Sequence, residues 1–584
     1  MPVLLYLVVI KGTSMGSLSR RDFMKSTLLG IGATTVALSL VGCSSNDKSS
    51  LASNDVTIDF KHGVASGDPL MDSIILWTRV TPEGTPSHIN LTLQVFEDEE
   101  QKIASMTQSV AALKKNDYTV KVDLSGLKAN THYYYRFVTD NTVSPLGHCK
   151  TLPQDDVSQV KFAVMSCANY PAGYFHAYAE AAKINNLDAV LHLGDYIYEY
   201  GMGEYATEQA KTLGRELDAD NSHEIITLND YRKRYALYRT DKGLQALHQK
   251  APFIAVWDDH EICNDTYIDG AENHNAGEGV FSDRKLAALQ AYYEWMPVRP
   301  YLVGQTEALY RKFDYGNLVS LYMLDTRNEA RVKALDYNDY IDPTSQEADF
   351  VRFQADLATP EQQLLGNKQL TWLTDGIKTS NAKWQVLGQQ VLMTKMMMPA
   401  ELLSSLADPS KSIVQQLGDL AKIKGRLNAN DHTLTEQEKA RVNFVAPYNL
   451  DAWDGYPVER EVILQTAKMT NKNLVVLAGD THNAWSGRLC NAKGEVCGYE
   501  FATAGVTSPG LEYYLKLSDP QAKQYADVLQ LLIDDLDFAN IHQRGFMTVT
   551  FSDESVDTQW HFVSSVHDAT FTMENKTMTI NTPV

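Results

Sequence analysis

The sequence predicts an α/β chain in two parts: a small β-sandwich of the immunoglobulin-like kind, then a large body in which strands are flanked by helices. Three observations carry this. At 584 residues the chain exceeds what a single hydrophobic core organises. Residues 58–152 are short alternating segments separated by Gly, Pro, Asn and Asp. Beyond them, apolar runs typical of buried strands alternate with amphipathic helical stretches.

The N-terminus reads as an address. Ser19-Arg20-Arg21-Asp22-Phe23-Met24-Lys25 precedes a mildly apolar stretch that closes on Leu40-Val41-Gly42-Cys43. The first matches the twin-arginine export pattern, and the second resembles a lipobox whose cysteine is lipidated. Residues 1–43 are therefore expected to be a signal and 44–57 a polar tether, with the body exported and anchored to a membrane through Cys43. An uncleaved anchor ending at an inert cysteine is the alternative, and the start can be Met1 or Met15.

In the sandwich, VTIDFKHGVASGDP, SIILWTRVTP, NLTLQVFED, YTVKVDLSGL and THYYYRFVTD supply the expected strands. Leu152-Pro153-Gln154-Asp155-Asp156 forms the seam. The body, residues 157–565, runs through KFAVMS, the helical FHAYAEAAKIN, DAVLHLG, PFIAVW, NLVSLYML, KWQVLGQQVLM and NLVVLAG. Residues 398–446 are helical, polar and poorly patterned, and read as an insertion or lid. GFMTVTFS and VDTQWHFVSSV close a sheet. No G-x-G-x-x-G follows a strand and no Walker A motif occurs, so nucleotide cofactors lose their support.

A net charge of −21 repels polyanions over the surface at large, which argues against nucleic acid as a partner. Six scattered cysteines make no disulfide framework. Cys490 and Cys497 flank a hairpin-like connection and are the one pair placed to bridge.

Chemistry concentrates where strands end. KFAVMS leads to Cys167, AVLHLG to Asp195 and Tyr198, FIAVW to Asp258-Asp259-His260-Glu261, and NLVVLAG to Asp480-Thr481-His482-Asn483. In an α/β sheet, strand C-termini converge on the ligand crevice. So many carboxylates in one crevice repel unless cations lie among them. Asp and His suit divalent or trivalent ions, and a thiolate with a phenolate points to a strongly Lewis-acidic one such as iron(III). Asp195 and Tyr198, three apart, can face one ion from a turn entering a helix. Adjacent residues on a strand point apart, so one of Asp258 and Asp259, preferably Asp259, is expected to be the direct ligand. Arg327 ends another strand and can clamp phosphate or form an ion pair with Asp325 or another carboxylate. His192 reads as a core histidine. Asp454 and Arg460 shape a pocket or do nothing assignable.

Taken with HGVASGDP, ILWTRVTP, SCANY, LDTR, WDGYPVER, AGDTHNAW and TSPG, these motifs resemble the PhoD family of alkaline phosphatases and phosphodiesterases, within the calcineurin-like metallophosphoesterases. The resemblance implies a metallophosphoesterase-type sheet sandwich. It implies iron(III) held by Cys167, Asp195, Tyr198 and His482, and calcium near Asp195, Asp259 and Asp480, with Asp258 beside them. His260 would contact substrate or leaving group. The superfamily's Gly-Asn is Asp258-Asp259 here, which favours a hard ion such as calcium over zinc. The implied reaction is hydrolysis of small-molecule phosphomonoesters or phosphodiesters by metal-activated water. A lipoprotein that binds phosphate compounds without turnover and an adhesion module with structural metals are the rivals.

Overall fold

The computed structural model describes residues 56–299, 309–341, 349–402 and 413–582. The twin-arginine stretch, Cys43 and most of the tether lie outside the described residues. Among the described residues, no helix is long and apolar enough to cross a membrane.

The body is built on two large sheets, one of nine strands and one of seven. In the first, Gln159–Met165, Ala189–His192 and Phe253–Ala255 run side by side and parallel. In the second, Val319–Met323, Trp384–Gly388, Asn473–Ala478 and Val496–Ala502 do the same. Strand alternation sorts their side chains into two cores. Leu321, Val386, Val475 and Leu477 face the nine-stranded sheet and join Phe162, Val164 and Met547 there. Their neighbours Tyr322, Leu387, Leu474 and Val476 point the other way, onto helices. Each such buried aliphatic side chain contributes about 1.5–3 kcal/mol, so neither face tolerates a one-residue slip.

The N-terminal sandwich has two layers around its own core of Leu76, Leu93, Val122 and Tyr135. One layer holds His88–Phe96, Met106–Leu113, His132–Val138 and Gly147–Lys150. Met106–Leu113 and Gly147–Lys150 escape the sequence reading because no strict apolar alternation marks either. The other layer, Val64–Gly67, Ser73–Arg79 and Thr119–Ser125, is not separate from the body. It continues the nine-stranded sheet through Gly67, which pairs with Phe253. A side chain at Gly67 would meet the Pro297 carbonyl oxygen at 2.1 Å and that of Phe253 at 2.6 Å, so only glycine permits the join.

At the far edge, Met573–Asn581 pairs along its length with Ser555–Val563, carrying the sheet past the expected limit at 565. In the insertion, Met397–Pro399 and Val445–Pro447 pair at its base and bracket the helices Ile413–Asn428 and Glu436–Asn443. Leu417, Leu420 and Ile423 of the first helix join the core beside the seven-stranded sheet, an apolar stripe the sequence pattern did not reveal. Cys490 and Cys497 are both free. A register shift pairs Cys490 with Val496 and leaves Cys497 without a cross-strand partner, so the two are not opposed.

Candidate metal centre

Four strand exits meet at one edge of the sandwich because the strands that carry them are parallel within each sheet. Leu193 N donates to Met165 O and Val256 N to His192 O, which holds three of the exits in step. Cys167 N donates to Gly194 O at 3.2 Å, and Ala168 N to Asp195 O at 2.9 Å. Gly194 has φ +103°, and a Cβ there would lie 2.4 Å from that of Asp258, so glycine alone lets these exits touch.

Cys167, Asp195, Asp480 and His482 all adopt left-handed backbone, with φ of 60°, 53°, 62° and 60°. Each costs about 1 kcal/mol or more for a residue with a Cβ, and the surrounding structure must hold it. Here Ser508 N donates to Cys167 O, Gly505 N to His482 O and Thr481 N to Gly479 O. The twist turns each side chain off its strand and toward a common centre.

The donors form overlapping groups. Ligand atoms of Cys167, Asp195 and His482 lie within 4.8 Å of one another, as do those of Asp195, Asp259 and His260, and those of Asp258, Asp259 and Asp480. Asp258 and Asp259 therefore serve the same group, contrary to the strand-alternation expectation. The strand ends at Ala255, and alternation no longer applies in the turn beyond it. Tyr198 donates to Asp195 Oδ2 at 3.0 Å and lies 3.1 Å from His482 Nε2. It arrives by an irregular loop rather than the expected helical turn. His482 Nδ1 donates to Pro509 O at 2.7 Å, which leaves Nε2 to face the centre.

These residues fit cations. Asp195 Oδ1 and Asp258 Oδ2 are buried with no hydrogen-bond partner. Burial and the carboxylates nearby push Asp195 and Asp480 well above the usual carboxylate range, and burial pushes Asp258 up to about 6. Burial, with Asp195 beside them, likewise raises the Cys167 thiol and the Tyr198 phenol. Burial holds His482 down at about 3, so its imidazole is neutral and able to ligate. The shifts of the carboxylates, thiol and phenol penalise negative charge that a bound cation would stabilise, and that of His482 keeps a lone pair free for one.

His260 behaves differently. Burial opposes its charge, but Asp259, Glu199 and Asp195 more than reverse that and raise its pKa well above the usual value. Its Nδ1 donates to Glu199 Oε2 at 2.7 Å. Glu199 in turn accepts from Asn264 N at 2.8 Å and Asn273 Nδ2 at 2.9 Å. Glu261 braces the loops themselves, accepting from the backbone of Asp195, Tyr196 and Asp258.

Arg327 is fully buried among carboxylates. Its Nε donates to Asp258 Oδ1 at 2.5 Å, and Nη2 lies 2.9 Å from Asp451 Oδ2 and 3.6 Å from Asp480 Oδ1. The Nη2 contact to Asp451 is electrostatic, without hydrogen-bond alignment. Asp325 does not pair with this guanidinium and instead accepts from the backbone of Arg327 and Asn328. Despite burial, Arg327 and His260 hold Asp259 well below the usual carboxylate range.

Sequence reasoning missed Glu199, Glu261, Asp451 and Ser508, whose hydroxyl donates to Tyr198 Oη at 2.7 Å. Glu199 directly follows Tyr198 and Glu261 ends the quoted Asp258–Glu261 run, and an acid beside a ligand was the available signal. Ser508 lies in the quoted TSPG, whereas Asp451 sits in a loop with no local pattern. His192 is a core residue, bonded to Tyr178 Oη at 2.8 Å. Asp454 and Arg460 tie down the backbone of Met396 and Met393.

A family model described as PhoD-like phosphatase matches residues 162–560, and one described as PhoD-like phosphatase, N-terminal domain, matches residues 44–153. Alkaline phosphatase D of Bacillus subtilis (strain 168) is 36% identical over 474 residues, covering 79% of this chain and 71% of that protein. A solved structure described as "Structure of PhoD" shares 31% identity and superposes with a TM-score of 0.70, covering 89% of this chain and 90% of the other.

Proposed function

From the premise that this chain belongs to the PhoD-like phosphatase family and is a phosphoester hydrolase, we propose that its strand exits hold iron(III) and calcium. We propose phosphomonoesters as substrates, with phosphodiesters as a second class. One observation carries the reading: a thiol, a phenol and an imidazole gather round Asp195, which also groups with Asp259 and His260.

Cys167, Asp195, Tyr198 and His482 would hold iron. Asp195, Asp258, Asp259 and Asp480 would hold calcium, since an all-oxygen set suits a hard ion better than zinc. Bound ions would supply positive charge for the phosphoryl oxygens and acidify water. The protein's own groups do the rest. Glu199 orients His260 and favours its protonated form, so that Nε2 carries a proton for the departing alkoxide. Arg327 is held by Asp258 and Asp451 through Nε and Nη1, which leaves Nη2 as its one group free to donate to a phosphoryl oxygen. Glu261 fixes the loops that present Asp195 and Asp258.

Visible absorption, metal content and hydrolysis of chromogenic mono- and diesters at alkaline pH test this on one preparation. Iron(III) tyrosinate should colour the protein, and Tyr198→Phe should remove or shift the band. A colourless, iron-free and fully active enzyme would sink the iron assignment while sparing the hydrolase. Metal-loaded protein with no turnover of any ester would favour a binding role.

Export by the twin-arginine machinery, anchoring through lipidated Cys43 and a periplasmic or cell-surface location are proposed from the N-terminal motifs alone. If the anchor is real, Cys43→Ser should release the protein from membranes.

A further inference from the structure

The site's approach is aromatic. The Tyr205 ring lies 6.2 Å from that of His482 at an angle of 28°, and its hydroxyl donates to Pro509 O at 2.9 Å. Outside it, Tyr514 runs almost parallel to Tyr205, 6.2 Å away with planes 8° apart, and is 60% exposed. Tyr513 packs edge-on to Tyr205 and is pinned by a hydrogen bond to Glu208 at 2.5 Å. Tyr200 stands 5.6 Å from Tyr205 and 5.4 Å from His260. Tyr514 is near enough to His260 and Asp480 to feel both charges.

An exposed aromatic ring held parallel to a half-buried one, and fixed through it to the site, presents a flat, oriented face. Such a face binds another flat π-system by stacking, which for a nucleobase is worth about 1–3 kcal/mol. Tyr200 links this stack to His260, beside which the alcohol of the ester departs in the reading above. Glu208 and the overall negative charge disfavour polyanionic chains. We propose that Tyr514, with Tyr200 nearby, forms a stacking shelf for a planar aromatic ring on the alcohol side of the ester, so that the site favours small nucleotides over aliphatic phosphoesters. This rests on the phosphoester hydrolase reading.

Adenosine 5′-monophosphate and glycerol 1-phosphate test it, since both release a primary alcohol and differ in carrying a ring. For Tyr514→Ala, KM for adenosine 5′-monophosphate should rise about tenfold with kcat nearly unchanged, a loss of about 1.4 kcal/mol. With glycerol 1-phosphate neither parameter should move by as much as twofold, and Tyr514→Trp should restore the nucleotide KM. Equal changes with both substrates, or none with the nucleotide, would overturn the shelf. Equilibrium dialysis with adenosine alone separates the two readings. If wild type hydrolyses neither ester but binds adenosine more tightly than Tyr514→Ala does, the monoesterase reading fails and the shelf stands. Equal adenosine binding by the two proteins removes the shelf whatever the turnover.

Discussion

The two halves of the strand-exit cluster handle buried acidity in opposite ways. Around Cys167, Asp195, Tyr198 and His482, among the described residues, no Arg or Lys side chain pairs with the ligand atoms, Arg234 and Arg544 reaching only the Tyr198 and His482 carbonyls, and the thiol and phenol keep their protons because burial raises both. Around Asp258, Asp259, Asp451 and Asp480 the Arg327 guanidinium supplies the counter-charge, and Asp259 stays ionised. The difference separates what each half needs. Both halves shed protons as a cation arrives, the thiol and phenol in the first and Asp258 and Asp480 in the second, but Arg327 already keeps Asp259 ionised, so affinity should rise with pH more steeply in the first. Asp195 belongs to both styles of neighbourhood.

Arg327→Gln breaks the contrast most severely. Removing the guanidinium leaves buried carboxylates uncompensated, and metal-free protein should lose about 3–5 kcal/mol of stability by denaturant unfolding. Added calcium should restore much of that loss. Unchanged stability without metal would mean that Arg327 is not what balances these acids.

Asp195→Asn asks whether the halves are one centre. Iron and the second cation should fall together in metal analysis, with kcat/KM down about 10³-fold, equivalent to about 4 kcal/mol of transition-state stabilisation. Loss of one ion alone would make the halves independent.

Glu199→Gln probes the proton carried beside both halves. His260 must be protonated to act as an acid, and Glu199 helps to keep its pKa raised. Without that charge the pKa falls, so the basic limb of the kcat/KM profile should move to lower pH, with kcat down about 100-fold. A limb that stays in place would assign the titration elsewhere.

Ser508→Ala is the smallest perturbation and touches only the thiol-phenol half. Losing one hydrogen bond to Tyr198 should cost about 1 kcal/mol, a few-fold in activity, and shift the visible band. Calcium content should not change.

Much of this centre was legible because each ligand run begins where a strong apolar strand stops. KFAVMS, AVLHLG, FIAVW and NLVVLAG announce their exits, and the residues that follow are chemically unusual for a core. The charge partners were not legible. Arg327 meets Asp451 across 124 residues, and nothing local to either predicts the other. Ser508 reaches Tyr198 across 310. The left-handed backbone at Cys167 and Asp195 was equally hidden, because non-glycine residues rarely adopt it unless tertiary contacts impose it. The sandwich was legible from its alternation. Its fusion to the body was not, since that rests on a single paired position, Gly67 against Phe253.

That fusion has a practical corollary. Phe253–Ala255 runs directly into the Asp258–Glu261 turn, and the segment around Gly67 covers its outer edge, tied down further by Asp68 to Arg311 at 2.7 Å. A chain trimmed to start near residue 157 would bare that edge to solvent and to other trimmed chains, inviting intermolecular strand pairing. The first hundred residues of the folded protein thus act as a splint for the turn that carries His260.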